Sequence, residues 1–395
     1  MSDISASVEF PGANAGSGEI REAVKALCAH YPDKYWRELD RDRRYPAEFV
    51  EAMTKSGYLA ALIPEQYGGS GLGLSDAAAI LETVHASGGN GSACHAQMYV
   101  MGIILRHGSE AQRQRWLPTI ASGQLRLQAF GVTEPTAGTD TTSIKTMAVR
   151  RGDKYIINGQ KIWTSRAEFS DLMILLVRTT PKAEVKKRSD GLSIFVVDMR
   201  QALGKGLTIR PIRTMMNHAT TEVFFDDMEV PAENMIGGEG NGFRYVLDGM
   251  NAERLLIASE CIGDAAWFIG KAASYSTQRI VFNRPIGKNQ GVQFPIARAY
   301  AETSAARLMV YQGSSLYDQH EVCGKEANMA KLLASEAAWH AAEACLQCHG
   351  GFGFAEEYDV ERKFRETRLY QVAPISTNLI LAYLGEHVLG MPRSY

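Results

Sequence analysis

No apolar run in these 395 residues approaches the length of a membrane span. Leu172 to Val177 is typical of the hydrophobic stretches, and a membrane location is not expected. Neither charge sign dominates. The chain has 42 Lys and Arg against 44 Asp and Glu, a formal net charge of −2, which argues against a nucleic-acid partner. Cysteine is scarce: six residues scattered through a long chain point to free thiols in a reducing compartment, here the cytoplasm, rather than a disulfide framework. The opening MSDISASVEFPG has no basic region followed by an apolar stretch and no Arg-rich character, so no secretory or transit signal is expected. What is present is ordinary for a soluble globular protein: 45% apolar and 22% charged residues, with length enough for two or three packed units.

The pattern along the chain changes twice. Residues 18 to about 125 read as helices joined by short loops, as in Ala47 to Ser56, Leu74 to Ala86 and Glu110 to Ser122. From about 126 to 237, short β-rich runs alternate with turns: Lys154 to Ile157, Leu172 to Thr179, Leu192 to Val197, Leu207 to Ile212 and Glu222 to Phe225. Asn158-Gly159 is a hairpin-type signal, and the charged Pro181 to Asp190 reads as an exposed loop. The helical period then returns. Leu255, Ala258, Ile262, Ala265 and Ile269 mark one face of a long helix, and Ala299 to Gln312 and Glu326 to Cys348 give two more. The expected class is α+β: an N-terminal helical domain (1–125), a central small β-barrel domain (126–237) and a C-terminal four-helix-bundle domain (238–395).

Two motifs carry a misleading resemblance. Gly238-Glu239-Gly240-Asn241-Gly242 lacks the βαβ context of a nucleotide loop, and a turn before the next helix is the better reading. Cys345-Leu346-Gln347-Cys348-His349 spells the haem c attachment pattern, yet it continues a helical face from Ala330 through Ala344 and ends at Gly350-Gly351, so a helix end is expected. No metal site is expected.

Four further stretches occur in a characteristic order: Ala129-Phe130-Gly131-Val132-Thr133-Glu134-Pro135-Thr136-Ala137-Gly138-Thr139-Asp140, Asn158-Gly159-Gln160-Lys161-Ile162-Trp163-Thr164-Ser165, Arg279 to Gln290, and Gln347-Cys348-His349-Gly350-Gly351-Phe352-Gly353. Together with the order helical, β, helical, they resemble the acyl-CoA dehydrogenase family over nearly the whole chain. That resemblance implies FAD as cofactor. It implies flavin contacts from Phe130, Val132, Thr133, Gly138, Thr139, Trp163 and Ser165, with Thr139 also near the CoA chain. Arg166 stands in place of the family Asn, and Ser165 in place of Thr. It further implies that Arg279, Gln290, Gln347, Cys348, Gly350 and Gly351 reach FAD across a subunit interface, in a homotetramer or at least a dimer, with Phe282, Ser376 and Asn378 also on the cofactor. The partners it implies are an acyl-CoA and an electron-transferring flavoprotein or similar acceptor, in fatty acid metabolism.

The chemistry so implied is α,β-dehydrogenation of an acyl-CoA thioester to the trans-2-enoyl-CoA, an oxidoreductase reaction on a CH–CH group. An α-proton of a thioester is weakly acidic, so its removal needs a carboxylate made more basic by an apolar site. Many relatives carry that Glu shortly after the Tyr-Gln pair, where this chain has Pro374. A subset, which includes isovaleryl-CoA and long-chain dehydrogenases, carries it on a helix just before an Arg, and Met250-Asn251-Ala252-Glu253-Arg254 occupies that place. Glu253 is therefore the expected base, with Asn251 and Arg254 on the substrate side. The alternatives are a same-fold oxidase or desulfinase and a non-catalytic flavin-binding relative; a DNA-associated relative lacks its basic surface.

Overall fold

The computed structural model describes residues 17–393, so the leader reading of residues 1–12 lies outside it. Six helices come first: α1 (Gly18–Cys28), α2 (Asp33–Asp42), α3 (Ala47–Lys55), α4 (Leu74–Ala86), α5 (Ser92–His107) and α6 (Glu110–Ala121). Eight strands follow: β1 (Leu127–Gly131), β2 (Met147–Arg151), β3 (Lys154–Ser165), β4 (Leu172–Arg178), β5 (Leu192–Asp198), β6 (Leu207–Pro211), β7 (Thr220–Pro231) and β8 (Met235–Ile236), with a short helix α7 (Met199–Ala202) between β5 and β6. Then come α8 (Gly242–Gln278), a ribbon of β9 (Ile280–Val281) and β10 (Arg284–Pro285), α9 (Gln290–Asp318), α10 (Gly324–His349), α11 (Val360–Arg368) and α12 (Thr377–Tyr383). The order helical, β, helical is that expected. By contacts the chain forms two compact units: Arg43–Leu72 with Ser92–Met250, and the remainder, including Gly73–Gly91 and Asn251 onward.

The first of these, the sheet unit, is organised by β4. Strands run in the order β6-β7-β3-β2-β4-β5-β8, with β1 added parallel to β4. Alternate residues of a strand face opposite sides. Leu172, Ile174 and Leu176 enter one core with Ile103, Ile104, Trp116 and Ile120 of α5 and α6. Met173, Leu175 and Val177 enter a second with Tyr155, Phe195, Val223 and Phe225. A strand buried on both faces has no polar side to show, which is why this run is continuously apolar. The sheet has more strands than the five β-rich runs read from the sequence, because Leu127–Gly131, Met147–Arg151 and Met235–Ile236 also pair.

One turn signal is overturned. Asn158-Gly159 makes no hairpin; both lie inside β3, at a register shift between Ile157 and Gly159. Asn158 and Asp227 exchange side-chain and backbone hydrogen bonds across to β7, Nδ2 to Oδ1 at 2.9 Å and Asp227 N–H to Oδ1 at 2.8 Å. Gly159 has φ 146°, and a Cβ there would lie 2.7 Å from Thr146 Cα. The dipeptide thus serves a bulge and a close backbone approach rather than a turn.

A buried ion pair ties β3 to the loop after β1. Lys161, fully buried, donates to Glu134 Oε1 at 2.8 Å and to the Val132 carbonyl at 2.9 Å. Glu134 also accepts from the backbone N–H groups of Lys145 (2.6 Å) and Thr146 (2.9 Å). Burial opposes the Glu134 charge, but Lys161 and these donors hold its pKa below the carboxylate range. Lys161 fares worse: burial pulls its pKa down to about 8 despite Glu134. Each partner favours the charge of the other against the cost of burial, and a buried pair of this kind is better evidence for a fixed geometry than for stability. Removing one partner leaves the other charge buried alone. Glu134→Gln should cost roughly 3–5 kcal/mol in urea unfolding; a loss below about 1 kcal/mol, the range of an exposed pair, would contradict this structural role.

Candidate active site

The loop that Glu134 holds begins where β1 ends. Gly131 lies against β4, where a Cβ would meet Leu175 Cδ1 at 2.9 Å. Beyond it Val132 and Thr133 are half-buried, and the Thr133 carbonyl accepts from Ile162 N–H at 2.9 Å. Phe130 is half-buried and packs edge-on to Tyr99. Gly138 and Thr139 are exposed, with open space around the Gly138 Cα. On the neighbouring β3, a second register shift separates Ile162 from Thr164. There Trp163 takes φ 61° and leaves its indole 56% exposed. A bulky residue in that backbone region is unusual, and it presents an open aromatic face. Both observations fit a flat ring laid against Trp163. Ser165 follows, half-buried, and then Arg166, which is buried. Arg166 also has φ 59°, donates its N–H to the Ala219 carbonyl at 2.7 Å and places Nη2 3.2 Å from His218 Nδ1. The Arg that stands where the family has Asn is thus turned toward His218.

In the other unit, the remaining cofactor candidates lie at the surface. Arg279, at the end of α8, is exposed, with its guanidinium over the Phe352 ring at 5.5 Å. Phe282, at the turn of the β9–β10 ribbon, is 94% exposed. Gln290 is exposed at the start of α9, and Gln347 lines a groove of about 480 Å³ with Pro295, Arg298 and Phe364. Gly350, at φ 57°, ends α10, and neither it nor Gly351 has an atom within 4 Å of a Cβ position, an open backbone cradle of the kind a polar ligand occupies. The helix-end reading of the C-x-x-C-H spelling matches this geometry. Cys345 is fully buried, half-buried Cys348 approaches the Ala272 carbonyl at 3.7 Å with its thiol pushed up to about 11 by burial, and His349 stacks on Tyr275. Ser376 caps α12, accepting from Leu379 N–H at 3.4 Å, and Asn378 is exposed.

Glu253 lies on the buried face of α8. Its residue exposure is 5%, beside Ala252, Leu256 and Ile257, all buried. Arg254 donates to Asn251 Oδ1 at 3.0 Å. Burial lowers the Arg254 pKa, and Glu253 is the first of the groups that oppose this. Pro374 holds the other expected place for the base and has neither a titratable group nor an N–H.

The sequence reading missed the polar core that runs on from Glu253. Two helical turns along α8, Glu260 accepts from Tyr370 Oη at 3.0 Å. One turn further, Asp264 accepts from His85 Nδ1 (2.8 Å), from Thr367 (2.8 Å) and from Lys363. Burial works against the Asp264 charge, but Lys363 and His85 bring its pKa down to about 2. The signal was present as acidic residues at 260 and 264 inside the otherwise apolar run Leu255 to Phe268.

Three family models match in succession: the acyl-CoA dehydrogenase N-terminal domain over residues 16–124, the middle domain over 129–228 and the C-terminal domain over 240–384. The chain is 33% identical to the acyl-CoA dehydrogenase FadE12 of Mycobacterium tuberculosis over 379 residues, which is 95% of this chain and 96% of that protein. It is 34% identical to the cyclohex-1-ene-1-carbonyl-CoA dehydrogenase of Syntrophus aciditrophicus, covering 94% and 89% of the two chains. The solved structure of a glutaryl-coenzyme A dehydrogenase in complex with glutaryl-CoA superposes with a TM-score of 0.89 at 29% identity, over 97% of each chain. Fold, motif order and these matches agree, and the chain belongs to the acyl-CoA dehydrogenase family.

Proposed function

We propose that this oxidoreductase converts an acyl-CoA thioester to its trans-2-enoyl-CoA, with Glu253 taking the α-proton. The observation that carries this reading is a carboxylate buried on the apolar face of α8 while the alternative position holds Pro374. An apolar surround disfavours the ionised carboxylate and so strengthens it as a base. Asn251 and Arg254 lie on the same turn and are assigned to the CoA side. The cofactor is FAD, which when bound supplies the acceptor for the β-hydride. Phe130, Val132, Thr133, Gly138, Thr139, Trp163 and Ser165 would hold its ring region, and the lone aromatic face of Trp163 is the strongest support for that assignment. Arg279, Phe282, Gln290, Gln347, Cys348, Gly350 and Gly351 would serve a second copy's cofactor, with Ser376 and Asn378 on the cofactor as well. For Arg279, forked donors suit a pyrophosphate.

The thioester oxygen gains charge as the proton leaves and needs donors. Pro374 has none, and Ile375 N–H is the next one along the backbone. Among the described residues it makes no hydrogen bond. We assign it to that oxygen. The domain division 1–125, 126–237 and 238–395 belongs to the same proposal, supported by family-model breaks between 124 and 129 and between 228 and 240. So does an electron-transferring flavoprotein as acceptor, and a cytoplasmic location, for which the six free cysteines speak. A tetramer, or at least a dimer, is supported by exposed apolar side chains at Ile280, Phe282 and Phe294, beside the cofactor candidates.

Two outcomes follow. Glu253→Gln should slow anaerobic flavin reduction by ~10²–10⁴-fold, the usual contribution of a positioned base, with FAD content unchanged; reduction at the parent rate would refute the assignment. In sedimentation, the parent protein should be a dimer or larger, and Phe282→Glu should give smaller species that lose FAD. A monomer that retains its FAD would contradict a shared cofactor site.

A further inference from the structure

Lys331 is an anomaly in its helix. It lies on the wall of α10 made by Ala327, Ala330, Ala334 and Ser335, and its own exposure is zero. Withdrawing an ammonium from water is expensive, and opposite charge or several hydrogen bonds normally offset it. Among the described residues, its ammonium makes one hydrogen bond, to the uncharged carbonyl of Ile375 at 2.9 Å. Burial accordingly lowers its pKa, with Cys261 opposing this and Arg254 adding to it.

The segment it holds is fastened at two more points. Tyr370, buried, donates to Glu260 on α8 at 3.0 Å. Gln371 Nε2 donates to the Ser335 carbonyl on α10 at 2.7 Å, one helical turn from Lys331. Glu260 is seven residues from Glu253, which on a helix is nearly the same face about 10 Å away. Residues 370–375 are therefore pinned to the helix of the base at one end and to α10 at the other. Between these pins lie Pro374, without an N–H, and Ile375, whose N–H has no partner among the described residues.

We propose that Lys331 is a positioning residue: by gripping the Ile375 carbonyl from α10, it aims the Ile375 N–H at the thioester oxygen of the acyl-CoA. This rests on the reading above, in which Ile375 N–H is that oxygen's donor. A small pinned segment orients a donor only if it cannot rotate away, and a lysine arm with one bond to one carbonyl supplies that restraint. The length of the lysine arm is what spans from α10 to this carbonyl, and a shorter side chain at 331 leaves the carbonyl unmet.

The test uses the FAD-loaded enzyme and two ligands of equal chain length, titrated calorimetrically. One is a 2-enoyl-CoA, which has the thioester oxygen. The other is an S-alkyl-CoA, a thioether with CH₂ in place of the carbonyl. The parent should prefer the thioester by roughly tenfold, the worth of about one hydrogen bond. Lys331→Met should abolish that preference, with thioether affinity and FAD content unchanged. Lys331→Gln, neutral and one bond shorter, should do the same and serves if the methionine variant does not fold. Equal weakening of both ligands would mean a merely structural lysine and overturn the proposal. A preference that persists in the variants would overturn the positioning role alone. A parent without any preference would remove the Ile375 donor itself, and the inference with it.

Discussion

The structure depends on keeping a carboxylate inside an apolar helix. α8 carries Leu255, Leu256, Ala258, Ile262 and Ala265 at or near zero exposure, and on this same helix it carries Glu253, Glu260 and Asp264. A buried charge must be paired, hydrogen-bonded or neutralised. For Asp264 the helix draws three donors, His85, Lys363 and Thr367, and for Glu260 the hydroxyl of Tyr370. The cost of two acids is met by polar partners. Glu253, at the end of the stripe, stands next to Arg254 on the same turn. One helix thus carries a carboxylate held at a pKa of about 2 by its partners and another, proposed as the base, set among Ala252, Leu256 and Ile257.

The sheet unit meets the same constraint with a different device. There Glu134 and Lys161 are both buried, and the pair joins the loop after β1 to β3. Burying two charges costs much of what their attraction returns, so the interaction is better understood as geometric. It leaves Thr133, Gly138 and Trp163 on a backbone that is fixed from behind. Trp163 can then keep an exposed indole in a left-handed backbone conformation, a combination that an unsupported strand would relax.

Much of this was legible in the sequence, and the failures have causes. The β4 run reads directly, because burial on both faces erases its alternation. The α8 face reads equally well; the resemblance singles out Glu253 as the Glu just before an Arg, and it is buried on that helix. Asn158-Gly159 misled because a glycine that permits a bulge looks the same as one that permits a turn; what decided was the close approach of Thr146. The buried polar core was not legible, since its members are distant in the chain: His85 and Asp264 are 179 residues apart, and Asp264 and Lys363 are 99 apart. No local period links them. Lys331 shows the intermediate case, an isolated Lys within an alanine-rich helical face whose meaning appears only with Ile375 opposite.

The central claim is that this chain ionises Cα through Glu253, and it can be separated from hydride transfer. A substrate such as 3,3-dimethylbutyryl-CoA has α-hydrogens and no β-hydrogen, so it can lose a proton but not complete the oxidation. Incubated with the FAD-loaded enzyme in D₂O, it should exchange its α-hydrogens for deuterium, read by mass spectrometry, and Glu253→Gln should reduce that exchange to the background rate. Exchange that continues undiminished in the Gln variant would show that another group removes the proton, and would contradict the account at its base.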